Sequence, residues 1–244
     1  MEYSLFAKLV AEFVGTAILM IFGNGSVANV ELKNTKGHNA GWINIAMGYG
    51  FGVMFPVLMF GGVSGAQINP AMTIAQAVNG MFSWSLVVPY IIAQLLGAAV
   101  GQLVVYITYY PHYKETESAE AILASFCTTD AYESRVNYFI NEFFGTLILV
   151  LGALCCLELQ WGSSSYAAAS IVVGFIVWGL VTSMGGPTGP GLNPARDLMP
   201  RVLHSILPIP HKGSSRWNEA WIPVVAPICG AIIGAWIFKS TFAI

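Results

Sequence analysis

Six runs of about twenty apolar residues divide this chain, and such runs read as helices that cross a bilayer. At about 1.5 Å per residue, about 20 residues cover the roughly 30 Å of hydrocarbon. They occupy residues 5–25, 42–61, 86–109, 136–157, 166–184 and 220–242. Two shorter segments, 69–78 and 193–203, are long enough to cross only half the bilayer and read as half-helices. Of the 244 residues, 56% are hydrophobic and 9% charged, far more apolar than a soluble domain, so the class is an all-α membrane protein. The first run continues directly to spanning length, which reads as a membrane helix rather than a cleaved leader.

The formal charge of −2 offers no basic track, which excludes nucleic acid as a partner. Cys127, Cys155, Cys156 and Cys229 show no C-x-x-C spacing, and three of them lie in apolar runs, where cysteine packs as a small hydrophobe. His38, His112, His204 and His211 are scattered through loops and segment ends and read as solvated. The sequence therefore gives no metal site and no cofactor. Without a nucleophile–base pair or phosphate loop, it gives no enzyme either.

The half-helices share a motif. Ser64-Gly65-Ala66-Gln67-Ile68-Asn69-Pro70-Ala71 recurs as Thr188-Gly189-Pro190-Gly191-Leu192-Asn193-Pro194-Ala195. In both, Asn supplies an N-cap oxygen, and Pro, with no N–H to lose, suits the first helical position. The duplication is wider. Glu12-Phe13-Val14-Gly15-Thr16 matches Glu142-Phe143-Phe144-Gly145-Thr146, and Gly97 and Gly101 match Gly230 and Gly234. With three spans per copy, the second copy must enter the membrane from the opposite side. The expectation is one channel domain, 1–244, built of inverted repeats at about 1–110 and 136–244, joined by a polar linker, 111–135. The half-helices then meet near the midplane. The Gly-rich approaches, 61–68 and 185–192, are expected to be non-helical backbone lining a watery path. Two helix N-termini meeting head to head repel cations, hydronium included.

Over essentially its whole length the chain resembles the aquaporin and glycerol-facilitator family, on the paired Asn-Pro-Ala boxes, the duplicated Glu-Phe-x-Gly-Thr and the Ser-Gly-Ala before the first box. Asp197, Arg201, Pro223 and Val224 resemble the glycerol-type pattern. The resemblance implies a selectivity filter at Tyr49, Val181, Pro190 and Arg196, with one aromatic where glycerol channels usually have two and with no histidine. It also implies a homotetramer in the plasma membrane with both termini in the cytoplasm. The expected function is passive conduction of glycerol, water and other small uncharged solutes (dihydroxyacetone, urea, lactic acid) without protons or ions.

Glu12 and Glu142 lie inside apolar spans, where an ionisable group is by default a functional candidate such as a proton relay. Their symmetric placement points instead to a structural role, accepting hydrogen bonds from the Gly-rich backbone. They are also the residues on which the alternative function, an ion-coupled secondary transporter, would depend. The Gly97/Gly101 and Gly230/Gly234 pairs read as close-packing faces, within one chain or between chains.

Overall fold

The computed structural model describes residues 3–160, 165–189 and 191–243, and among them it is all-helical. Among the described residues, six helices are long and apolar enough to cross a membrane: α1 (Leu5–Glu31), α2 (Trp42–Ser64), α4 (Trp84–Glu115), α6 (Arg135–Leu154), α7 (Tyr166–Thr188) and α9 (Ile222–Thr241). Two half-helices, α3 (Pro70–Val78) and α8 (Pro194–Ile206), and a short α5 (Ala119–Ala124) complete the set. A π-helical turn, Cys155–Gln160, prolongs α6.

Close packing rests on the glycine pairs. Helices in lipid gain nothing from burying apolar surface against each other, so close backbone approach supplies the contact. A Cβ on Gly97 would lie 2.2 Å from the Phe13 carbonyl oxygen, and one on Gly101 2.5 Å from that of Ala17, so α4 seats directly on α1. Gly230 and Gly234 repeat this against the Phe143 and Leu147 carbonyls, at 2.1 and 2.6 Å, seating α9 on α6. Both pairs are thus used inside the chain. Outward faces stay apolar: Trp84, Val88, Ile92 and Leu96 form one exposed stripe along α4.

Three expectations are corrected. Helices α1 and α4 outrun their apolar segments, to Glu31 and Glu115, because their ends pack with Phe126 and Cys127 of the linker in a buried cluster that includes Ala28, Leu32 and Tyr113. The Gly-rich approaches remain helical to Ser64 and Thr188. The chain first turns left-handed at Gly65 (φ 88°) and Gly189 (φ 63°), each N–H closing back on the carbonyl of Gly61 or Gly185. His204 is not solvated: it is fully buried, with Nδ1 2.8 Å from the Ser215 hydroxyl oxygen, because the 207–221 connection folds over the end of α8.

The linker and the connections 32–41 and 207–221 gather at one end of the bundle, tied by Lys33 N to Thr116 Oγ1 (3.0 Å) and by contacts from Arg216 to Glu133. The chain termini lie at the other end, where Lys239 Nζ donates to the Asn79 carbonyl and caps α3.

Candidate functional site

Asn69 and Asn193 are extended residues (φ −155° and −158°) that start the two half-helices. Asn69 Oδ1 accepts from Ala71 N at 2.9 Å, and Asn193 Oδ1 from Ala195 N at 3.0 Å. Each side chain then crosses to the other half. Asn69 Nδ2 donates to the Leu192 carbonyl and Asn193 Nδ2 to the Ile68 carbonyl, both at 2.8 Å. The half-helix starts, including Pro70, Ala71, Pro194 and Ala195, are therefore laced together N-terminus to N-terminus.

The backbone before each start is strained. Ala66 and Ile68 (both φ 42°) and Leu192 (φ 49°) take left-handed conformations that cost side-chain-bearing residues roughly 1–2 kcal/mol each. Two buried carboxylates offset that cost. Glu12 accepts from Ser64 Oγ (2.7 Å), Gln67 N (2.9 Å), Ile68 N (2.7 Å) and Gln94 Nε2 (2.8 Å). Glu142 accepts from Gly191 N (2.9 Å), Leu192 N (2.8 Å) and Thr188 Oγ1 (3.3 Å). Hydrogen bonds to a charged acceptor are worth about 1.5–3 kcal/mol each, enough to hold loops the backbone alone would not adopt.

Two cavities flank this arrangement. One, of about 240 Å³, runs from the laced loops toward the terminal end. Its polar side is Gly65–Asn69 and Gly191–Asn193; its apolar side includes Leu19, Val53, Leu149 and Val177. The other, of about 690 Å³, opens at the linker end among Trp42, Asp130, Gly189 and Arg216. Among the described residues, three line both: Tyr49, Val181 and Arg196. They form the neck between the cavities, and each is at most 5% exposed. Pro190, the fourth expected filter residue, lies outside the described residues.

Arg196 is held from two sides. Nη1 donates to the Phe126 carbonyl (3.1 Å) and Nη2 to the Tyr49 hydroxyl, while its guanidinium carbon sits 5.0 Å from the Tyr49 ring centre; Nε has no partner. Val181 is anchored by its carbonyl, which accepts from Trp42 Nε1 at 2.7 Å.

The other marker residues stand away from the neck. Asp197 and Arg201 are fully buried behind it. Asp197 Oδ2 accepts from Thr128 N and Oγ1, and Arg201 donates to the Thr128 and Ser215 carbonyls, which fastens the linker in place. Pro223 and Val224 lie in the first turn of α9 and line neither cavity. The sequence reading missed Asn24 and the Phe126 carbonyl, which bond to Tyr49 and Arg196, and Gln102, which bonds to Asn24. Asn24 and Gln102 carried a signal, as polar residues within apolar runs. A backbone carbonyl carries none.

Six spans, two opposed half-helices and a necked path between cavities at both ends define a membrane channel. Comparison with known proteins agrees. The sequence model of the family described as major intrinsic protein matches residues 1–238, and the chain belongs to that family, as a multi-pass membrane protein. It is 49% identical over 244 residues to "Glycerol uptake facilitator protein-like 5" of Lactiplantibacillus plantarum, covering 98% of each chain. It is 42% identical over 289 residues to a "Glycerol facilitator-aquaporin" of Lactococcus lactis subsp. cremoris, covering 99% of this chain and 100% of that one. The crystal structure of the aquaglyceroporin from Plasmodium falciparum superposes with a TM-score of 0.87 at 30% identity, over 98% of this chain and 97% of the other.

Proposed function

We propose that the chain is a passive channel of the plasma membrane for glycerol, water and other small uncharged solutes, dihydroxyacetone, urea and lactic acid among them, and that it excludes protons and ions. The observation that carries this reading is the neck: Tyr49, Val181 and Arg196 are the wall common to the two cavities. The relatives named as glycerol facilitators support the solute class.

The path is two-sided. Carbonyls and amides of the laced loops suit a solute's hydroxyl groups, and the aliphatic wall opposite suits its CH face. Arg196 adds fixed donors, and its charge opposes cations. At the midplane, Asn69 and Asn193 have each committed their oxygen to a cap and one amide proton to the opposite loop. One N–H remains on each for a passing oxygen. A water accepting from both is oriented as acceptor, so it breaks a proton wire, and two helix N-termini of roughly +0.5 charge each raise the barrier further. Glu12 and Glu142 are occupied by loop donors, which weighs against their serving as the coupling site of a transporter.

The same reading has the chain built as one domain of inverted repeats, assembled as a homotetramer with a pore in each subunit, both termini in the cytoplasm. The test is a swelling panel in proteoliposomes with water, glycerol, dihydroxyacetone, urea and lactic acid, run with an interior pH dye. Solute flux above empty vesicles that ignores ion gradients, with no proton leak, is expected. Saturable flux that collapses with an ion gradient would overturn the channel.

A further inference from the structure

Two amide side chains lie fully buried behind the neck and line neither cavity: Asn24 in α1 and Gln102 in α4. A buried amide is costly unless its groups are paired. Asn24 Nδ2 donates to Gln102 Oε1 at 2.6 Å and to the Phe126 carbonyl at 2.8 Å, and Gln102 Nε2 donates to the Ser125 carbonyl at 3.2 Å. Those bonds fix which way the Asn24 amide faces, since reversing it would set its oxygen against two acceptors. Asn24 Oδ1 must therefore point at Tyr49, whose hydroxyl donates to it at 2.6 Å.

A phenol has one proton. With that proton committed to Asn24, the Tyr49 oxygen has only lone pairs left for Arg196 Nη2, which donates to it. The preceding residue completes the device: the Tyr49 ring lies over Gly23, where an added Cβ would come within 2.2 Å of Cε1. The Gly23-Asn24 pair thus seats the ring and accepts its hydroxyl's hydrogen bond.

We infer that Asn24, fixed by Gln102, is a positioning residue for selectivity: by accepting the hydrogen bond of the Tyr49 hydroxyl it leaves the phenol oxygen as an acceptor only, turned to Arg196, so that the neck offers a passing polyol the donors of Arg196 and none from Tyr49. This rests on the channel reading above. Without Asn24, the phenol proton is satisfied by water or solute in the passage, and the ring tip moves into the path, where it obstructs a polyol more than a water molecule.

The experiment is stopped-flow light scattering on proteoliposomes, reading the glycerol-to-water permeability ratio, for the wild-type chain and four variants. In Asn24→Val the ratio is expected to fall roughly fivefold, the worth of one hydrogen bond of ordinary net strength. Asn24→Val/Gln102→Leu, which leaves no amide of the pair orphaned, is expected to show the same fall. Tyr49→Phe is expected to raise the ratio, since it shortens the ring and frees Arg196 Nη2. Adding Asn24→Val to Tyr49→Phe is then expected to change nothing further. Equal slowing of water and glycerol in the Asn24 variants, an unchanged ratio in Tyr49→Phe, or an Asn24 effect that persists without the phenol would each overturn the inference while leaving the channel standing. A wild-type chain that conducts neither solute would overturn the channel reading and the inference with it.

Discussion

Arg201 reaches back one turn along α8 to Asp197, Nε to Oδ1 at 2.8 Å, and neither side chain has any exposure. The pair is a clamp. Asp197 also holds Thr128 N and Oγ1, Arg201 holds the Thr128 and Ser215 carbonyls, and so the linker that carries Phe126 to the neck is fastened to the half-helix that carries Arg196. Removing one partner strands the other's charge. Arg201→Met is expected to destabilise the chain by about 3–5 kcal/mol, and replacing both residues by apolar ones to cost less than the two single losses added. Thermal unfolding in detergent measures both, and a wild-type midpoint for Arg201→Met would contradict the clamp.

The two interior carboxylates are expected to behave alike. Glu142→Leu removes the acceptor of Gly191 N and Leu192 N and is expected to cost several kcal/mol, at about 1.5–3 per charged bond, with loss of flux as the loop relaxes. Glu142→Gln keeps one acceptor oxygen and is expected to fall between. Glu12→Leu is expected to do the same to the first loop, through Gln67 N and Ile68 N. Melting temperature and glycerol flux read together decide the matter: a chain that lost flux at full stability would make these carboxylates relay groups rather than loop anchors.

Much of this was legible because it is local. Spanning length is written in consecutive residues, and Asn-Pro marks a helix start wherever it stands, so the spans and both half-helix starts follow from the sequence. The ends of α1, α2, α4 and α7 do not. Leu32 is a helix-end residue stabilised by Phe126, far away in sequence, and Gly61 and Gly185 look like loop glycines although their carbonyls accept the closing bonds of helices. Tyr49 was expected in the filter only through the family resemblance, and its partner Asn24 was passed over, since hydropathy averages a single amide away. His204 misled for the opposite reason: a polar residue at a segment end looks solvated until a later connection covers it.

Cys127 borders the linker-side cavity yet is 1% exposed, and burial pushes its thiol up to about 12. Burial thus favours the thiol, whereas the thiolate is the form that reacts. Iodoacetamide is expected to leave Cys127 unmodified in the folded protein and to alkylate it after denaturation, as read by peptide mass spectrometry. Stoichiometric native labelling would mean that the linker opens and that Phe126, its neighbour, does not stay on Arg196.

Among the described residues of the neck, Val181 is the apolar side chain, alongside a phenol and a guanidinium. An aliphatic wall there gives a polyol's CH face a contact that an imidazole would replace with a larger, hydrated group, and the backbone cannot retreat because the Val181 carbonyl is held by Trp42. Val181→His is therefore expected to slow glycerol far more than water. Val181→Ala, which deletes two methyl groups from the same wall, is expected to speed four-carbon polyols more than glycerol or water. Stopped-flow permeabilities for water, glycerol and erythritol in the three chains test both directions at once. If the two substitutions move all three solutes by a common factor, the passage is gated elsewhere along its length, and the neck at Tyr49, Val181 and Arg196 is not where size is read.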